Sequence, residues 1–85
     1  IEDKFKAFKW NVLTIDGHDY AQIADAIDKA KETKGAPTVI VAKTVKGKGV
    51  SFMENNVKFH GSTPTPEQFE QAFKELDAQA ASLEV

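Results

Sequence analysis

Five consecutive residues, Thr38-Val39-Ile40-Val41-Ala42, run on without alternating apolar and polar positions. That is the pattern of a strand covered on both faces, and such strands belong to parallel sheets. A parallel partner has to be reached by a crossover of a dozen or more residues, usually a helix. The residues before Thr38 supply both parts. Val12, Leu13 and Ile15 form a short β-branched-rich run that Asp16-Gly17 ends as a turn, so a strand is predicted over residues 11–15. Asp19 is placed to cap a helix, Gln22 to reach back to it in a capping box, and Ile23, Ala26, Ile27 and Ala30 follow at helical spacing. Lys29, Lys31 and Lys34, then Gly35 and Pro37, mark the stop, which gives a helix over 20–33 and a second strand over 38–44.

Strand, helix and strand make one βαβ unit of an α/β fold. Two strands cannot form a stable sheet covered on both faces, so the pattern implies more sheet than these residues hold. Beyond it, residues 46–65 contain Gly47, Gly49, Asn55-Asn56, Gly61 and Pro64 with little periodicity, and read as a long loop. Thr65-Pro66-Glu67-Gln68 then opens a helix with an N-cap threonine, a proline at the first helical position and a glutamine to close the box. Phe69, Ala72, Phe73, Leu76, Ala80 and Leu83 fall on one face of this amphipathic helix over 66–83. Residues 1–85 are read as a single unit.

At 85 residues a domain buries only about 60–65% of its unfolded surface, so its core is thin. There is no cysteine to staple it. Eleven basic against thirteen acidic residues leave a net charge of −2, which argues against a nucleic-acid partner. No apolar run approaches the length of a membrane span. Ile1-Glu2-Asp3-Lys4 resembles neither an initiator nor a signal peptide, so the chain is expected to start inside something larger and to lie in the cytoplasm. Phe5, Phe8 and Trp10 are read as core, with an interface as the alternative.

Chemistry has few places to sit. Lys46-Gly47-Lys48-Gly49 follows a parallel strand at its carboxyl end, where ligands bind in open α/β sheets. Its glycines would let the backbone approach an anion and turn amides toward it, and its lysines add charge; a solvated turn is the alternative. It is neither a Walker loop nor a dinucleotide fingerprint, since Phe52 stands where a third glycine belongs. His60-Gly61 would donate an imidazole hydrogen bond to a phosphate or substrate oxygen if the loop folds back, and otherwise bonds to backbone or water. Asp16-Gly17-His18-Asp19 is explained by the turn and the helix cap, so no metal ligand is assigned. No nucleophile stands at diagnostic spacing from either histidine.

Taken together, Phe8 to Leu13, Asp16-Gly17-His18-Asp19, the stretch from Pro37 to Asn56 with Lys-Thr-Val-Lys-Gly-Lys-Gly and Met-Glu-Asn-Asn, and His60-Gly61 resemble transketolase, most closely the amino-terminal subunit of split bacterial and archaeal forms. The resemblance implies the carboxy-terminal portion of a thiamine diphosphate-binding domain. It gives His60 a catalytic and cofactor-binding role and makes Lys46, Gly47, Lys48 and Gly49 cofactor-binding. It also implies magnesium beside thiamine diphosphate in the complete enzyme. The family's Gly-Asp-Gly motif and its activating glutamate are not in these residues, so the chain by itself is expected to hold no cofactor. The implied partner is the remainder of the transketolase, its pyrimidine-binding domain or subunit, and self-association is expected in its absence. A folding or association module without catalysis is one alternative. A piece of 1-deoxyxylulose-5-phosphate synthase is another, against which Met53-Glu54-Asn55-Asn56 argues. The chain departs from the family at Lys9, where glycine is usual before the tryptophan, and at Val57-Lys58-Phe59, where proline and tryptophan are common.

Overall fold

The computed structural model describes residues 1–83. The chain divides into two compact units, Ile1–Thr44 and Val45–Val85.

In the first unit, α1 (Glu2–Ala7) leads into β1 (Asn11–Asp16), α2 (Tyr20–Glu32) and β2 (Thr38–Lys43). The strands pair in parallel, Asn11 opposite Thr38 and Asp16 opposite Lys43. This is the α/β βαβ arrangement that the unbroken apolar run demands. α2 packs on both strands and α1 on β1, with Ala26 the buried contact of α2. Val39, Ile40 and Val41 are half-buried, because a two-stranded sheet leaves β2 with only part of its cover. Asn11 ties the helix exit to the sheet, its Nδ2 donating to the hydroxyls of Thr33 and Thr38, both at 3.3 Å.

Asp19 caps α2 as its sequence requires, accepting from the Gln22 amide. The Gln22 side chain differs from the expected box: Oε1 accepts from the Asp16 amide at 2.8 Å, and Nε2 donates to Asp19 Oδ2. The Asp19 amide is already bonded to the Asp16 carbonyl, so the glutamine reaches past the cap to the strand end. Asp16 Oδ1 accepts from the His18 amide, which makes Asp16 a turn residue. Gly17 passes so close to β2 that a Cβ would lie 2.6 Å from Thr44 Cγ2 and 3.1 Å from Ala42 Cβ.

The first helix was not expected. Its six residues leave their end groups to a Schellman motif: Trp10 N–H donates to the Phe5 carbonyl and Lys9 N–H to that of Lys6, while the Phe5 and Trp10 rings meet at 5.1 Å. The motif requires a left-handed residue, and that residue is Lys9, at φ +68°. The three aromatics expected in the core do not all reach it. Phe8 is 78% exposed because it sits at the helix end, where only Phe5 and Trp10 are turned toward each other.

In the second unit, the stretch read as an irregular loop is built of successive tight turns and a 3-10 helix, Val57–His60, before α3 (Pro66–Leu83). Asn56 caps the 3-10 helix, accepting from the Lys58 amide, and the Phe52 and Phe59 rings approach to 5.5 Å. Val50 and Ala72 are buried. Thr65 and Gln68 complete a capping box at the start of α3. The connection from Gly61 to Thr65 is exposed except at Pro64. Among the described residues no helix is long and apolar enough to cross a membrane.

Candidate functional site

Every residue singled out for ligand chemistry lies in the second unit. The turn that follows Val45 closes on itself: Lys48 N–H donates to the Val45 carbonyl, Val50 N–H to that of Gly47, and Asn55 N–H to that of Lys46 at 2.8 Å. Gly47 sits at φ +74° with its α-carbon against the Met53 peptide, and a Cβ there would fall on the Met53 carbonyl oxygen and 2.6 Å from its carbon. Only glycine lets the chain double back at this point. Asn55, at φ +56°, makes the return.

This folding brings Lys46 and His60 together, Lys46 Nζ standing 3.2 Å from His60 Nδ1 with both side chains exposed. An ammonium can only donate, so Nδ1 accepts and the ring carries its proton on Nε2, as a donor on the far side. Lys48 is exposed on the same turn. Gly49 contributes differently from the amide cradle that its sequence suggested. Its N–H donates to Glu54 Oε1 at 3.2 Å and its carbonyl accepts from Gln79 Nε2 at 2.6 Å. The Lys48 and Val50 amides are also bonded internally, so the charged and directed donors of the turn are the Lys46 and Lys48 ammonium groups and the His60 Nε2–H.

The site also has a backing that sequence did not indicate. Glu75 of α3 accepts from the Ser51 amide at 2.7 Å and from the Ser51 hydroxyl at 2.8 Å. Gln71 donates to the same carboxylate at 2.9 Å. Gln71, first among these donors, and then Ser51 hold the Glu75 carboxyl below its ordinary value. Residues 71, 75 and 79 share a helix face at i, i+4, i+8, a polar stripe that only becomes informative once its partners are known.

Two exposed ammonium groups and a directed imidazole donor fit a phosphate-bearing ligand, with the Glu54 and Glu75 carboxylates engaged on the Gly49 amide and on Ser51. No group of three or more His, Asp or Glu side chains suited to a metal ion occurs among the described residues.

Residues 1–85 match the family described as transketolase, thiamine diphosphate binding domain. The chain belongs to this family. Its relatives include the 6-deoxy-6-sulfo-D-fructose transketolase subunit SqwG of Clostridium sp. (strain MSTE9), 41% identical over 81 residues, and an apulose-4-phosphate transketolase subunit of Phocaeicola vulgatus, 36% identical over 84. Those matches cover 95% and 99% of this chain and 30% of each relative. Human transketolase is 32% identical over 81 residues, 95% of this chain and 12% of its own length. The chain thus spans about a third or less of the curated transketolases it matches, and two of these are named as subunits, in agreement with a split type.

Proposed function

We propose that this chain is the carboxy-terminal, diphosphate-facing portion of the cofactor-binding domain of a cytoplasmic transketolase that moves a two-carbon ketol unit between sugar phosphates. The observation that carries the reading is the Lys46–His60 pair, 3.2 Å apart beside the glycine turn, in a chain of the thiamine diphosphate binding family. Thiamine diphosphate, when bound, supplies the carbon chemistry of ketol transfer. Lys46 and Lys48 place charge against the diphosphate, and the Nε2–H of His60 donates to a diphosphate or substrate oxygen, which is the catalytic role assigned to it. Gly47 and Gly49 act by shaping the turn. The names of two relatives carry different sugars, yet each matches almost all of this chain. That supports assigning these residues to the cofactor end of the site and sugar choice to other segments.

Magnesium is held by groups outside these residues, as is the activation of the thiamine ring. The remainder of the transketolase, its pyrimidine-binding domain or subunit, is the functional partner. In its absence the chain associates with itself and acts only as a folding module without catalysis.

Calorimetric titration with thiamine diphosphate and magnesium, with and without the partner chain, tests this reading. Alone, the chain binds no tighter than about millimolar, because an exposed lysine pair and one imidazole must do the work of a full site. Micromolar binding by the isolated chain, or no gain with the partner, would sink the proposal.

A further inference from the structure

A turn built around Gly47 at φ +74° and Gly49 at φ +102° has little conformational preference of its own. Its own bonds close it between Val45 and Asn55, and α3 adds two more from outside. Glu75 takes the Ser51 amide and hydroxyl, one on each carboxylate oxygen, and Gln79 one helical turn later takes the Gly49 carbonyl. Gln71, one turn earlier, donates to Glu75 Oε2.

A carboxylate beside a turn that receives an anion would repel it. Here its oxygens are taken up by three donors, and those donors hold the carboxyl ionised by lowering it from its ordinary value. The carboxylate keeps its charge, and both of its oxygens are directed into the bonds that fasten the turn. We infer that Glu75 is a positioning residue, which through Ser51 fixes the turn carrying Lys46, Lys48 and Gly49 in the form that meets a diphosphate; what the turn receives rests on the function proposed above.

The test uses the isotope-labelled full chain with inorganic diphosphate as the probe. Gly49 and Val50 amides are the reporters, because they bond to Glu54 and Gly47 and not to Glu75. In Glu75→Ala their solvent exchange accelerates about fivefold, and the diphosphate concentration that half-shifts the His60 ring resonances rises about fivefold. Glu75→Gln recovers most of both, since its amide oxygen still accepts from the Ser51 N–H and its NH2 donates to the Ser51 hydroxyl. A loss of stability alone would leave the His60 response to diphosphate unmoved.

Unchanged exchange at Gly49 and Val50 in Glu75→Ala overturns the inference. Should that variant lose its helical signal, Ser51→Ala decides the matter: it keeps the amide bond, removes the hydroxyl one, and is expected to give a smaller change of the same sign. No change at the reporters in Ser51→Ala then overturns the inference. A turn that loosens in Glu75→Ala while the unaltered chain ignores diphosphate supports the clamp and overturns the ligand reading, so the two failures are distinct.

Discussion

Lys46 Nζ and His60 Nδ1 face each other at 3.2 Å although 14 residues separate them in sequence. A charge and a directed N–H donor are thereby joined through one hydrogen bond, which makes them a unit and not two independent contacts. In the complete enzyme, His60→Ala and Lys46→Met are each expected to weaken thiamine diphosphate binding or turnover about tenfold. The double variant should lose clearly less than the product of the two, as residues in one network do. Initial rates against cofactor concentration measure this. Strictly multiplicative losses would mean that the pair does not act together.

Lys9 occupies the left-handed position of the Schellman motif between α1 and β1. A residue with a Cβ is strained there by about 1–2 kcal/mol, part of which glycine returns as chain entropy on unfolding. Lys9→Gly should therefore stabilise the chain by about 0.5–1 kcal/mol, read from the midpoint of a urea titration. A destabilised variant would show that the lysine side chain contributes more than its backbone strain costs.

Glu2 pairs with Lys43 Nζ at 2.9 Å, linking α1 to β2. The hydrogen bond from Lys43, followed by one from the Glu2 amide, lowers its carboxyl from an ordinary 4.5 to about 2. Since the folded value lies below the unfolded one, the pair favours the folded unit fully above pH 4.5, and that contribution is lost as the pH falls toward 2. Carboxyl carbon shifts should titrate near 2 in the unaltered chain and return toward 4.5 in Lys43→Met. A midpoint near 4.5 without any substitution would show the pair to be absent in solution.

Phe69, Phe73 and Leu76 are 54%, 50% and 43% exposed on α3, with the two rings in contact at 4.7 Å. An apolar stripe of this kind, beside a thin core, favours association. Sedimentation over about a hundredfold range of concentration should show the isolated chain growing in mass, and Phe73→Glu should reverse it. A single monomeric species throughout would remove the expectation.

The βαβ unit was legible because each of its signals is local: the unbroken run at Val39 to Val41, the Asp19 cap, and the Gly35-Pro37 stop. α3 was legible for the same reason, from Thr65-Pro66 and a long apolar stripe. α1 escaped notice because Glu2 to Ala7 is under two turns and offers no period to count. The residues of the candidate site could be named, but their arrangement could not. That Lys46 meets His60, or that Ser51 is held by Glu75, depends on turns closed by Gly47 and Asn55 and on contacts spanning up to 30 residues. The glycines suggested amides open to an anion, and only the fold reveals that those of Lys48, Gly49 and Val50 are already bonded to the protein.

The exposed connection from Gly61 to Thr65 runs between two anchored ends, a 3-10 helix whose Lys58 carbonyl holds the Ser62 hydroxyl and a capping box at Thr65. Nothing stands within 4 Å of where a Gly61 side chain would begin. Doubling such a segment costs only about 0.6 kcal/mol of closure entropy. It is therefore the point at which the chain can gain or lose residues without disturbing the lysine and histidine before it or the helix after it. Variation in length among natural sequences, and the insertion of a reporter or tag by an engineer, should concentrate there.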